Sequence, residues 1–272
     1  MTMETAEAGR FDIARVIQQT FAVLGRNIVT FGILGIVLTG IPTAILGYFQ
    51  FGMAQDMLQD MRGGSYSFPP GMMSASFLGG LAGLITTAIL QGALIHATVQ
   101  DLNSQPQSVG ASLAVGLRNF LSLIVVTILL ALGIALGMVL LIVPGVMLAC
   151  AWCVAVPALV ADRTGIFGAF SRSAELTRGN RWQIFGLIVI VVIVQLVLGW
   201  IVNLITGAGS IGMSSDPLAA ASRALTPLAL VLAVIQQVIG SVIGATALAV
   251  IYVELRRAHE GEPTGWLADI FR

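Results

Sequence analysis

Cys150 and Cys153 form a C-x-x-C pair, a spacing that in a soluble protein carries thiol–disulfide exchange or supplies two ligands of a tetrahedral metal site. Neither chemistry finds its partners here. The pair lies inside an apolar run with no second Cys pair, no histidine close in sequence and no neighbouring cation to lower a thiol pKa, so both are read as packing residues. A second set comprises the amides Gln91, Gln195, Asn203 and Gln236, each inside a long apolar run. There an amide either hydrogen-bonds between helices or lines a polar path. Gln237 follows Gln236 directly and points about 100° away on a helix, so the two cannot line one narrow path. The third set is Arg163, Arg172, Arg178, Arg181 and Trp182. Arginines at a membrane interface bind anionic lipid head groups, and a Trp anchors at the same depth. The same arginines also read as topology determinants, partly paired with Asp162 and Glu175.

The elements that position these side chains follow from composition. The chain has 272 residues, 57% hydrophobic and 10% charged, whereas a soluble domain carries about a quarter charged residues. Apolar runs cover Ile28–Phe51, Phe77–Thr98, Phe120–Val143, Val146–Ala161, Ile184–Thr206 and Leu228–Val253, each close to the length that crosses a bilayer. A hairpin at Pro144-Gly145 separates the third from the fourth. Residues 1–272 therefore read as a single polytopic membrane domain of six transmembrane helices. Met1 is followed by Thr2, Glu4 and Glu7 rather than by basic residues, so no cleavable signal peptide is expected.

Three segments that precede odd-numbered spans share a pattern: a short helical stretch, then Arg and Asn, then the span. Interfacial helices are expected over 11–25, 108–118 and 166–178, with Gly179 ending the third. Asn27, Asn119 and Asn180 are placed to cap the spans that follow. The fold class is thus an all-α integral membrane protein built as three repeated units of interfacial helix plus two-span hairpin. Gly79/Gly83, Gly133/Gly137 and Gly240/Gly244 are spaced for close helix packing. All thirteen basic residues are Arg, and eleven fall on the face that holds both termini, leaving Arg62 and Arg223 on the other. That bias puts the termini in the cytoplasm. The absence of Lys points to a GC-rich bacterial genome.

The spans hold no Asp, Glu, Lys or Arg away from their ends, and the two histidines are His96, near the end of the second run, and His259 in the tail. No hydrolase, metalloprotease, P-loop or dinucleotide motif occurs. No catalytic, metal or cofactor-binding residue is assigned, no cofactor is expected, and scattered arginines do not make a nucleic-acid surface.

The stretches Val156-Pro157-Ala158-Leu159-Val160, Gly165 to Ser173 and Leu176 to Trp182, with Tyr252-Val253-Glu254-Leu255-Arg256-Arg257 and Glu260-Gly261, resemble the membrane domain attached to bacterial glycerophosphoryl diester phosphodiesterases. That resemblance implies a membrane domain often found alone, with the phosphodiesterase chemistry in a separate metal-binding barrel that this sequence lacks. The expected function is that of a non-catalytic protein of the bacterial inner membrane with a lipid- or envelope-related role, its partners being membrane lipids. The alternative is a transporter or lipid scramblase with a polar path between the helices.

Overall fold

The computed structural model describes residues 11–64, 71–103, 105, 108–206 and 226–260, all but the loops and turns helical. Arg10, Arg223, Gly261, Arg272 and most of the polar stretch 207–227 lie outside the described residues, as does the side chain of Arg62. The elements are α1 (Ile13–Arg26), α2 (Ile28–Gly35), a π-helical turn (Ile36–Gly40), α3 (Ile41–Arg62), α4 (Met72–Leu102), α5 (Val109–Leu140), α6 (Ile142–Trp152), α7 (Ala155–Asp162), α8 (Gly165–Leu176), α9 (Arg181–Thr206) and α10 (Pro227–Glu260). Six helices among the described residues are long and apolar enough to cross a membrane: Ile28–Met61, Met73–Leu102, Val109–Leu140, Ile142–Asp162, Arg181–Thr206 and Pro227–Glu260.

Five of the apolar runs each lie in one of these helices, whereas the third, expected to reach Val143, ends at Leu140 and leaves Ile142 and Val143 to the fourth span; proline explains where the helices break. Pro42 has no N–H to return to Leu38. The backbone widens just before it, with the Ile41 N–H reaching five residues back to the Ile36 carbonyl. Pro157 likewise cannot donate to Cys153, and the fourth span divides there into α6 and α7. Pro144, expected to form the hairpin, instead sits in the first turn of α6, where a missing N–H costs nothing. The reversal is made three residues earlier by Leu141 in extended conformation (φ −161°, ψ 143°). Gly145 serves the hairpin differently: a Cβ there would lie 2.6 Å from the Met138 side chain.

The three expected interfacial segments are not equivalent. α1 stands apart from its span, capped by Asp12, which accepts from the Ala14 N–H at 2.9 Å. α8 is also separate. The second segment is continuous with the third span as one 32-residue helix, α5, because nothing between Leu117 and Phe120 stops a helix. Asn119 therefore caps nothing and donates back to the Val115 carbonyl at 2.9 Å. Asn27 likewise donates to the Val23 carbonyl. Asn180 directly precedes α9, and its carbonyl accepts from Ile184 N–H. Helix also continues beyond the first apolar run to Arg62, since after Gly52 neither Gly nor Pro occurs before Gly63-Gly64.

The chain divides into two compact units, residues 1–28, 91–190 and 243–272, and residues 29–90 and 191–242. In the first, Trp152 lies over Gly133, where a Cβ would come within 2.3 Å of its ring, and meets Phe170 edge-on at 5.0 Å. This seats α8 against α5 and α6. The broken fourth span leaves the Ala151 carbonyl without its helical donor, and the buried hydroxyls of Ser173 and Thr177 donate to it at 2.8 and 3.3 Å. At membrane depth a backbone break survives only when such groups are paired inside the protein. In the second unit the π turn packs on α10, where a Cβ at Gly35 would lie 2.9 Å from Val238 and Val242.

Candidate functional site

The segment from Arg163 to Trp182 belongs to the first unit, and its arginines do different things. Arg163 ends α7 in the left-handed region at φ 53° and is exposed. Arg172, on α8, is held in an ion-pair network. Its Nε donates to Asp162 Oδ2 at 3.3 Å, its Nη1 to Glu175 Oε2 at 3.3 Å, and its Nη2 pairs with Glu260 at the end of α10. Tyr252 Oη donates to the other oxygen of Asp162 at 2.7 Å, Arg256 stands 3.7 Å from it, and Arg256 Nε donates to Glu260 at 2.7 Å. Partial burial of Arg172 works against its charge, but hydrogen bonds to Glu175 and Asp162 and their negative charges outweigh this, and its pKa lies above the ordinary arginine value. Two further pairings stand beside this network. Glu254, almost fully buried, takes Arg257 at 3.0 Å and Arg15 at 3.8 Å. Asp101 takes Arg26 at 2.5 Å and the Asn27 amide at 3.1 Å.

Arg178 and Arg181 have no carboxylate within ion-pair range among the described residues. They flank the turn from α8 to α9, where Gly179 adopts φ +91°, a conformation that favours glycine. Arg181 opens α9, whose first amides have no carbonyl four residues back. Two cavities meet at Gly179 and Arg181. One, about 600 Å³, is lined by Ala174, Glu175, Arg178, Gly179 and Arg181. The other, about 500 Å³, is an apolar groove formed by Val143, Val146, Met147, Phe185 and their neighbours under Arg181 and Trp182. The Nε of Arg181 is itself buried and has no hydrogen-bond partner among the described residues. Trp182 is 86% exposed and meets Phe185 edge-on at 6.2 Å. Chemically, this is a cationic rim above an apolar slot.

Of the predicted site residues, the structure thus brings together Arg178, Arg181 and Trp182 and assigns Arg172 to the internal network. The amides divide differently. In the second unit Gln195 of α9 packs on Gly240 of α10 and Gln236 of α10 packs on Gly199 of α9, a reciprocal arrangement in which a Cβ at either glycine would meet the opposing amide at 2.8 or 3.2 Å. Asn203 is exposed. Gln91 belongs to the first unit. Cys150 packs in the core of the first unit, and Cys153 lies at the break between α6 and α7. His96 Nδ1 stands 3.2 Å from the buried Ser112 hydroxyl. Sequence reasoning missed the partners Glu254 and Glu260 and the groove itself. The signal available for the carboxylates was their spacing of three or four residues from Arg256 and Arg257 on one helix.

A family model described as an uncharacterised protein family, UPF0259, matches residues 52–214, more than half of the chain. A UPF0259 membrane protein of Sodalis glossinidius is 32% identical over 109 residues, covering 40% of this chain and 44% of the relative. One of Pectobacterium carotovorum is 32% identical over 111 residues, again 40% and 44%. The match thus spans less than half the length of these curated relatives. No solved structure matches. These findings overturn the resemblance to the phosphodiesterase-associated membrane domain. The physical reason lies in the quoted residues: Tyr252, Arg256, Glu260 and Arg172 hold α7, α8 and α10 together, and Glu254 ties α10 to Arg15 of α1, a packing task that carries no phosphodiesterase signature.

Proposed function

The chain belongs to the UPF0259 family of membrane proteins, and from that premise we propose that it is a non-catalytic protein of the bacterial inner membrane with a lipid- or envelope-related role, binding anionic lipid through Arg178, Arg181 and Trp182. Both termini face the cytoplasm, following the arginine bias. The observation that carries this reading is the junction of an apolar groove with a rim of arginines that have no protein counter-ion among the described residues. Arginine binds phosphate bidentately and remains charged at any physiological pH. Arg163 contributes field rather than contact, and Arg172 is held by its own carboxylates. The polar-path alternative has weaker support, because Gln195 and Gln236 fill the space over opposing glycines.

The test compares lipid copurified with the protein in mild detergent against the bulk membrane extract. Anionic phospholipid enriched with the wild type, and reduced to the bulk proportion by Arg178→Gln with Arg181→Gln, is the expected outcome. Bulk composition in both proteins overturns the proposal.

A further inference from the structure

The two cavities differ in chemistry on either side of one residue, and that difference selects among anionic lipids. Arg181 borders both. On its apolar side the slot between α6 and α9 offers no hydrogen-bonding side chain apart from the Cys150 thiol, the exposed Trp182 indole and Arg181 itself, so it suits an alkyl chain. On its polar side Arg178 and Arg181 face the same space as Glu175. Resting on the lipid reading above, we infer that the occupant is a single phosphatidylglycerol molecule: one acyl chain in the groove, the phosphodiester between Arg178 and Arg181, and a glycerol hydroxyl donating to Glu175.

Charge decides between head groups. Asp162, Glu175 and Glu260 share Arg172 and Arg256, which leaves one carboxylate charge unbalanced, so that Arg178 and Arg181 stand one positive charge in excess. A net-neutral phosphatidylethanolamine leaves that excess uncompensated. Cardiolipin brings a second phosphate, which would stand against the Glu175 carboxylate, and like charges in contact disfavour binding. A phosphodiester with a neutral hydroxyl head group satisfies both sides: its charge meets the arginines and its O–H meets the acceptor. Arg181 borders both cavities with no carboxylate partner among the described residues, so its guanidinium is the group such a phosphate would pair.

The experiment is native mass spectrometry of the full chain released from nanodiscs that contain equal amounts of phosphatidylglycerol, cardiolipin and phosphatidylethanolamine. The wild type is expected to retain one phosphatidylglycerol, with cardiolipin weaker by about tenfold, the value of one charge-assisted hydrogen bond or its loss. Glu175→Ala, at an exposed position, is expected to bring cardiolipin to parity. Val146→Trp, which fills the groove, is expected to lower retained phosphatidylglycerol about tenfold by removing the chain site, with the oligomeric mass unchanged. Cardiolipin preferred by the wild type, or no response to Glu175→Ala, overturns the inference while leaving the anionic-lipid reading intact. Loss of all anionic preference in the wild type overturns both. A change of oligomeric mass in Val146→Trp assigns the groove to a second copy of the chain and likewise overturns the inference.

Discussion

Arg172 and Arg181 occupy one short segment and carry the same charge, yet their surroundings are opposite. Around Arg172 stand Asp162, Glu175 and Glu260, joined to Tyr252 and Arg256 of the last helix. Around Arg181 stand an apolar slot, a glycine turn and a second arginine. A partly buried cation in protein needs a counter-charge. The first residue finds its own within the chain, which makes it a structural element; the second has none among the described residues, which makes it a candidate to receive one from outside. The difference teaches that an arginine cluster is not one signal, and that its members sort by where the carboxylates lie.

The largest effect that would break this comparison concerns stability. Arg172→Gln is expected to cost about 2 kcal/mol by leaving Asp162 and Glu260 underpaired, read as a lower thermal midpoint in detergent. Arg178→Gln and Arg181→Gln are expected to stay within about 0.5 kcal/mol of wild type, since Arg178 is exposed, Arg181 half-buried, and neither substitution removes an ion pair among the described residues. Equal losses would erase the distinction.

A similar or slightly smaller cost, about 1–2 kcal/mol, is expected for Ser173→Ala with Thr177→Val, which leaves the Ala151 carbonyl unpaired at the break in the fourth span. Amide exchange at residues 151–155 should rise with it. If neither stability nor exchange changes, water or another group satisfies that carbonyl.

Smaller still is a contrast between glycines. Gly133→Ala is expected to cost about 1 kcal/mol, because its Cβ would meet the Trp152 ring. Gly83→Ala, with nothing within 4 Å, should be neutral or gain up to about 1 kcal/mol from helix propensity. Thermal midpoints of the two variants moving in the same direction would contradict the packing described at Gly133.

Much of this was legible in the sequence. The bilayer imposes run length, so the six spans followed from apolar stretches alone. Proline was the weak point. Pro144 announces a turn but is equally at home in a helix's first turn, so the reversal lies at Leu141 instead. Pro42 and Pro157 each remove a donor four residues ahead of a carbonyl, a rule that was available and that locates the π turn and the break in the fourth span. Within the site, the pairing of Arg172 with Asp162 and Glu175 follows from proximity in the chain. Glu260 and Tyr252 lie far along it, and only tertiary packing brings them to α8. The groove was not legible at all, because a cavity is a property of how α6 and α9 fail to fill the space between them.

The most direct test is the thermal midpoint of three proteins, wild type, Arg172→Gln and Arg178→Gln/Arg181→Gln, each with and without added phosphatidylglycerol, since a ligand that binds the folded state raises its stability. The expected result is a double dissociation: Arg172→Gln starts lower and keeps the lipid-dependent rise, while the double variant starts at the wild-type midpoint and loses it. A lipid-dependent rise that survives in the double variant, or vanishes in Arg172→Gln, would contradict the assignment of these arginines to separate roles.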